Sequence, residues 1–418
     1  MVVGMRMVGM TPADAAPEGV ENQQADKQGQ NDQREIEERH WIAEKLVQHY
    51  VGVSHAIQGY ARESAVSIPA SCSTERPGPG ASATLDISGI LVLAGGMNFL
   101  VTGGAGFIGS HVCERLLQRG EAVWAFDDLN PFYDPQLKQR NLRDIQSLAK
   151  PFEFVHGDLT DRAALDELFA SVRFDQVIHL AARAGVRPSL QEPALYQRVN
   201  VEGTTNLLEA ARLHGVRKIT LASSSSVYGV NSKVPFAEGD PIFTAISPYA
   251  ASKLACEALG HVYHHVYGLD VVMLRFFTVY GPRQRPDLAI HKFARLIRAG
   301  RPIPVFGDGS TARDYTHITD ILEGIEACTR NEFGYEIFNL GESQTVPLAC
   351  LIELLENALG RKAIIERQPP QPGDVPLTCA DISKARARLG YNPRVRIEQG
   401  IPLFVQWFTA QQPAAVGT

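Results

Sequence analysis

From Met97 onward the apolar positions alternate between two rhythms. Short, nearly continuous apolar runs lie at Asn98–Val101, Ala122–Phe126, Phe152–His156, Gln176–Leu180, Lys218–Ala222 and Val271–Phe276. Between them, Asp161–Phe169, Val199–Leu213 and Tyr249–Tyr267 repeat apolar residues every three or four positions. A continuous apolar run fits a strand covered on both faces, and the longer period fits a helix. Strands separated by helices of this length predict a doubly wound parallel α/β sheet, with ligands at the carboxyl ends of its strands. After about Arg283 the alternation loosens. His291–Ala299, Thr319–Thr329, Leu348–Leu359 and Ser383–Leu389 read as helices; Ile303–Phe306, Glu336–Asn339 and Ala363–Glu366 read as extended. This part reads as a smaller mixed α/β C-terminal domain capping the sheet's carboxyl edge. Residues 97–282 form the first domain, with some later segments returning to it, and 283–410 mainly the second.

Met1–Gly96 has neither rhythm. Asn22–Gln33 is polar, and SCSTERPGPGAS (Ser71–Ser82) is rich in chain breakers. Glu35–Ile57 carries one helical stripe (Ile36, Trp41, Leu46, Tyr50) with nothing beside it to cover that stripe. The expectation is a largely disordered extension with one helix. The codons for Ala94-Gly95-Gly96 can spell a purine-rich tract just before Met97, which, for a bacterial source, makes Met97 a candidate translation start and 1–96 a translated upstream region; the alternative is a real regulatory or targeting extension.

Composition narrows the picture without changing it. The 418 residues are 44% hydrophobic and 21% charged, with a net charge of −6. That is ordinary globular composition with no electrostatic footprint for nucleic acid. Six cysteines (Cys72, Cys113, Cys256, Cys328, Cys350, Cys379) include no closely spaced pair, so reduced thiols in a cytoplasmic protein are expected rather than bridges. No His, Cys and carboxylate cluster has metal-ligand spacing, and no apolar run reaches membrane-spanning length.

The chemistry begins at TGGAGFIG (Thr102–Gly109), which follows a strand and opens a helix through Ile108, Val112 and Leu116. That order is the Rossmann dinucleotide fingerprint. Gly103 supplies the tight turn, Gly106 lets backbone approach a pyrophosphate, and Gly109 lets helix and strand pack closely. Asp127 ends the second strand, 24 residues after Gly103. A carboxylate there accepts the adenosine ribose hydroxyls and repels a 2′-phosphate, which favours NAD over NADP. Asp158, after the third strand, fits either an adenine contact or an ordinary turn. Tyr249 and Lys253 lie four apart on one helical face. Free tyrosine is a poor base near neutrality, and a neighbouring ammonium favours its phenolate. Ser223, Ser224, Ser225 and Ser226 follow the fifth strand, and spacing does not choose among them. Arg183, Arg187, Arg275, Arg283, Arg285 and Arg313 gather around the same strand ends and suit an anionic substrate. His179, inside an apolar strand, reads as a hydrogen-bonded core residue.

Taken together, TGGAGFIG, HLAA (His179–Ala182), Asn200 in NVEGT, SSSSVYG (Ser223–Gly229), YAASK (Tyr249–Lys253), RFFTVYGP (Arg275–Pro282), RDYTHITD (Arg313–Asp320) and QPGDVPLTCADISKA (Gln371–Ala385) resemble the extended short-chain dehydrogenase/reductase family and its NAD-dependent nucleotide-sugar epimerases. The resemblance implies that Tyr249 is the base, Lys253 its support and Ser224 the catalytic hydroxyl. It implies a cofactor site of Gly103, Gly106, Phe107, Ile108, Gly109, Asp127, Asp158, Leu159, Leu180, Ala181, Ala182, Asn200, Tyr249, Lys253 and Phe277. DLNPFYDPQLKQRNL (Asp128–Leu142) and FFTVYGPRQRPD (Phe276–Asp287) look most like the UDP-glucuronate 4-epimerases. In that subgroup Thr278 and Arg285 meet the sugar carboxylate, while Arg313 and Asp374 hold the nucleotide. Pro248 stands where many members have leucine. Dehydratases and decarboxylases of the family carry an acidic residue just after the catalytic hydroxyl, where this chain has Ser225 and Ser226. The resemblance also implies a homodimer formed through Val199–Leu213 and Tyr249–Tyr267. UDP-glucose 4-epimerase and a catalytically silent NAD-binding regulator are the alternatives.

Overall fold

The computed structural model describes residues 96–230, 233–242, 244–369 and 375–411. The extension expected over 1–96, its helix at Glu35–Ile57 and the candidate ligand Asp374 therefore lie outside the described residues, Gly96 excepted.

Seven strands form one sheet: β1 (Asn98–Thr102), β2 (Ala122–Asp127), β3 (Phe152–His156), β4 (Gln176–His179), β5 (Lys218–Ser224), β6 (Asp270–Phe276) and, from late in the chain, β10 (Tyr335–Leu340). Their order is β10-β6-β5-β4-β1-β2-β3, and every neighbouring pair is parallel. Alternate residues feed two cores. Phe99 and Val101 of β1 join Val123 and Ala125 of β2 on one face, while Leu100 packs with Trp124 and Phe126 on the other. That two-sided burial is why these strands read as unbroken apolar runs. Strand order reverses between β1 and β4, which opens a crevice at their carboxyl ends.

Two small sheets complete the molecule. β7 (Thr278–Tyr280) pairs parallel with β9 (Ala312–His317), which pairs antiparallel with β11 (Thr345–Pro347). β8 (Ile303–Phe306) pairs parallel with β12 (Ile365–Gln368). With helices Ala289–Arg298, Leu348–Leu359 and Ile397–Ala410 they enclose a third core around Tyr280, Phe293, Ile303, Leu351 and Phe404. Glu336–Asn339, grouped above with the smaller part, lies within β10 at the edge of the main sheet, where Tyr335 pairs with Val271.

The helix expected over Val199–Leu213 is two elements, a π turn at Gln197–Glu202 and an α-helix at Gly203–Leu213. The Tyr249 helix spans Pro248–Tyr267. Ser247 caps it by accepting a hydrogen bond from the Ala250 amide at 3.1 Å. Pro248 occupies its first turn, where the missing N–H costs nothing. Gly268 ends it in the left-handed conformation. His179 is buried between two threonine hydroxyls, 2.7 Å from Thr102 Oγ1 and 3.0 Å from Thr204 Oγ1. Burial pushes its pKa down to about 3, so it stays neutral.

Candidate active site

The glycine turn is fixed by contacts that exclude a side chain. Gly103 has φ +69°, and a Cβ there would sit 2.8 Å from the Ala181 amide nitrogen. A Cβ on Gly109 would lie 2.1 Å from the Gly103 carbonyl oxygen. The helix Phe107–Gln118 starts at Gly106 with no side-chain cap. Its first-turn N–H groups therefore remain available to an anion, assisted by the helix dipole. Gly103, Gly106, Phe107, Ile108 and Gly109 line one wall of a cleft of about 480 Å³.

Asp127 stands at the end of β2 in that wall, buried. It accepts hydrogen bonds from the Leu129 amide (2.9 Å), the Ala105 amide (3.3 Å) and Lys138 Nζ (3.0 Å). Lys138 also lies 3.8 Å from Asp128. The sequence reading missed Lys138 although it quoted the segment that holds it. The available signal was a cation one helical turn into Pro135–Gln146, facing the strand that ends in two carboxylates. Asp158 and Leu159 line the same wall, and Asp158 also closes a local turn on Thr160. Leu180, Ala181 and Ala182 line the cleft after β4.

The serine run is sorted by β5. Ser223 turns away from the cleft centre and donates to Glu257 Oε1 at 2.6 Å. Ser224 donates to Ser226 Oγ at 3.1 Å. Tyr249 and Lys253 face the same cleft one helical turn apart. Lys253 Nζ donates to the Ala222 carbonyl at 2.8 Å, which anchors it against β5. The Tyr249 ring meets Tyr196 edge to face, with centroids 6.2 Å apart. Ser224, Tyr249 and Lys253, far apart in sequence, thus share one wall.

Phe277, Thr278 and Arg285 line the same cleft, in the segment that follows Phe276, which pairs with Ser224 across β5 and β6. Arg285 forms a two-point ion pair with Asp287, at 3.0 and 2.7 Å. Burial works against its charge, but the Asp287 carboxylate outweighs burial and raises its pKa. Phe132 sits between two guanidiniums, those of Arg285 (5.4 Å) and Arg183 (5.9 Å). Neither Phe132 nor Tyr133, which also lines the cleft, was singled out from sequence.

Two expected ligands stand back from this lining. Asn200 is buried in the π turn, where it clasps the Arg183 backbone at 2.7 and 3.0 Å and Ser252 Oγ at 2.9 Å. It shapes the wall from behind. Arg313 lies on β9 and donates to the Ala312 carbonyl at 3.0 Å. Of the other arginines, Arg275 is buried in a two-point pair with Glu257 at 2.9 and 2.8 Å, behind the serine run. Among the described residues no group of His, Cys, Asp and Glu could hold a metal ion, and no helix is long and apolar enough to cross a membrane.

Comparison with known proteins places this geometry. The family model for GDP-mannose 4,6 dehydratase matches residues 100–403. UDP-glucuronate 4-epimerase of Thermodesulfobacterium geofontis is 46% identical over 310 residues, 74% of this chain and 95% of that protein. The crystal structure of UDP-glucuronic acid 4-epimerase from Bacillus cereus, with UDP-glucuronic acid and NAD, superposes with a TM-score of 0.71 at 35% identity, covering 76% of this chain and all of that one. UDP-glucose 4-epimerase from Thermotoga maritima, with UDP-glucose, gives a TM-score of 0.69 at 33% identity, covering 75% and 99%. With the strand order, the glycine turn and the Ser224, Tyr249 and Lys253 wall already established, these matches show that the chain belongs to the GDP-mannose 4,6 dehydratase family of extended short-chain dehydrogenase/reductase proteins.

Proposed function

We propose that this chain is an NAD-dependent isomerase that inverts C4 of UDP-glucuronate to give UDP-galacturonate. The observation that carries the reading is a single cleft lined by two functional sets of residues. Ser224, Tyr249 and Lys253 line it together with Thr278 and Arg285. Tyr249 takes the O4 proton and later returns it. Lys253 holds a positive charge beside the phenol, and Ser224 shares the substrate hydroxyl's proton. The glycine turn, Asp127, Asp158, Leu159 and Leu180–Ala182 would hold NAD, which when bound would take up the hydride from the sugar's C4 and return it. Arg285 and Thr278 hold the sugar carboxylate, and Arg313 and Asp374 the nucleotide. The 4-keto sugar is a β-keto acid, and a carboxylate kept near the ring plane resists loss of CO₂. Ser225 and Ser226 in place of an acidic residue disfavour dehydration.

Incubating the protein with NAD and UDP-glucuronate, then separating the products, tests this. UDP-galacturonate is expected; turnover of UDP-glucose in preference would favour the neutral-sugar reading, which the Thermotoga neighbour supports. In Arg285→Ala, CO₂ release should rise, and unchanged behaviour would remove Arg285 from the carboxylate site.

The reading includes a division into a cofactor part (97–282 with returning segments) and a substrate part (mainly 283–410). It also includes a cytoplasmic homodimer. Leu213, Val262, Val266 and Tyr267 are exposed on the two helices expected to pair, which supports that assembly. Sedimentation equilibrium checks it.

A further inference from the structure

The loop that carries Arg285 is held at both ends, and one of its residues adopts a backbone that its type rarely takes. Arg283 has φ +64°, a left-handed conformation uncommon for a non-glycine residue and a pointer to a functional constraint. Its side chain does not line the cleft. It reaches back to the helix Phe107–Gln118, where it meets Glu114 at 2.7 Å, and to Asp144 on Pro135–Gln146 at 3.4 Å. Arg283 Nη1 is buried with no hydrogen-bond partner. Next to it, His111 of the same helix donates from Nε2 to the Pro282 carbonyl at 3.0 Å. On the far side, Gln284 is buried, donates to the Val279 carbonyl at 3.1 Å, and its own carbonyl meets His291 at 2.6 Å. Arg285 then emerges into the cleft from a segment fixed on both flanks. The helix gripped by Arg283 is the one whose N-terminus forms the cofactor wall.

We propose that Arg283 is a positioning residue: its ion pair with Glu114 ties the cofactor helix to the Arg285 loop, so that selectivity for an acidic over a neutral sugar depends on a contact remote from the sugar. The inference rests on the reading that Arg285 meets the sugar carboxylate. The left-handed backbone turns Arg283 outward toward Glu114 while its second neighbour Arg285 turns inward. Loss of the pair removes the side-chain tie between the two flanking contacts, and the guanidinium of Arg285 is then held less firmly in one direction.

The test uses the full-length, NAD-loaded protein with Arg283→Gly, Arg283→Lys, Glu114→Gln and Arg285→Ala. Glycine adopts φ +64° without strain, so Arg283→Gly removes the ion pair while leaving the backbone at ease. For Arg283→Gly the expected result is an unchanged or raised Tm, about tenfold weaker binding of UDP-glucuronate by calorimetry and little change for UDP-glucose. A larger share of product that has lost CO₂ should accompany this. Arg283→Lys keeps a cation in reach of Glu114 and should restore most of the selectivity. Glu114→Gln, which leaves the loop sequence intact, should reproduce the loss and serves if Arg283→Gly does not fold. If Arg285→Ala loses selectivity but Arg283→Gly and Glu114→Gln keep it, the strut is overturned and the Arg285 reading stands. If Arg285→Ala itself keeps selectivity, the underlying reading falls, and the inference with it.

Discussion

At the scale of single residues, Asp127 and Tyr249 carry the most and are held in different ways. Asp127 is tied by two amides and Lys138 before any ligand arrives. Its carboxylate keeps Lys138 from presenting a bare cation to the cofactor wall. In Asp127→Ala, NAD should bind about 10- to 100-fold more weakly, the cost of a charge-assisted hydrogen bond. Lys138 would then face the ribose alone, so the ratio of NADP to NAD affinity should rise. Titrating both cofactors by fluorescence measures this, and an unchanged ratio would remove Lys138 from cofactor selection. Tyr249, by contrast, is half-buried and its hydroxyl serves no described hydrogen bond that holds the fold. Tyr249→Phe should lower kcat by about 10²- to 10⁴-fold while leaving Tm and NAD affinity unchanged. Retained turnover would remove it as the base.

At the scale of elements, the Pro248–Tyr267 helix shows how local sequence aims chemistry. Its cap fixes the first turn, and the first turn holds Tyr249. Ser247→Ala should cost about 1 kcal/mol, or roughly 1–2 °C of Tm in a protein of this size, and should raise KM more than a surface substitution does. A thermal melt alongside kinetics checks both. Elements of this kind were legible from the chain alone, because apolar runs, the glycine turn and a proline at the helix start each report a local constraint. The six strands of the main sheet from β1 to β6 follow from apolar runs, since both faces of each are covered. What the pattern hid depends on partners distant in sequence. β7, β9 and β11 are short and pair across long loops, so none shows a period of its own. The π turn at Gln197–Glu202 looks helical in sequence because a single π turn only lengthens the hydrogen-bond span by one residue and leaves the chain helical. In the cleft, the glycines, Asp127, Tyr249 and Lys253 were readable from the pattern, and Ser224 only through the family resemblance. Lys138 and Phe132 were not, since a lysine in a polar helix and a phenylalanine in a loop gain meaning only from the carboxylate and guanidiniums they face.

At the scale of the whole molecule, segments far apart in sequence converge on two buried carboxylates, Asp314 in β9 and Asp320 in the helix that follows it. Asp314 accepts hydrogen bonds from the amides of Glu342, Ser343 and Ala380, and Asp320 accepts from those of Arg394 and Val395. Burial pushes the Asp314 carboxyl up to about 6 despite those amides. Burial, then repulsion from Asp320, pushes Glu342 up to about 7, with Arg396 offsetting only part of it. One buried oxygen of Glu342 has no hydrogen-bond partner. The sign follows from proton binding. Above the ordinary carboxylate range the unfolded chain has lost these protons while the folded chain still holds them. The folded state is therefore favoured at low pH, and this contribution is lost as pH rises through about 6 and 7. Glu342→Gln removes the larger shift and keeps the side chain's shape. At pH 8 its Tm should exceed that of the parent protein by about 2–4 °C, and at pH 5, where Glu342 is protonated and as neutral as glutamine, the difference should close. Melting both proteins from pH 5 to 8.5 decides it, because parallel curves would mean that Glu342 ionises at its ordinary value and that burial among these converging segments does not hold its proton.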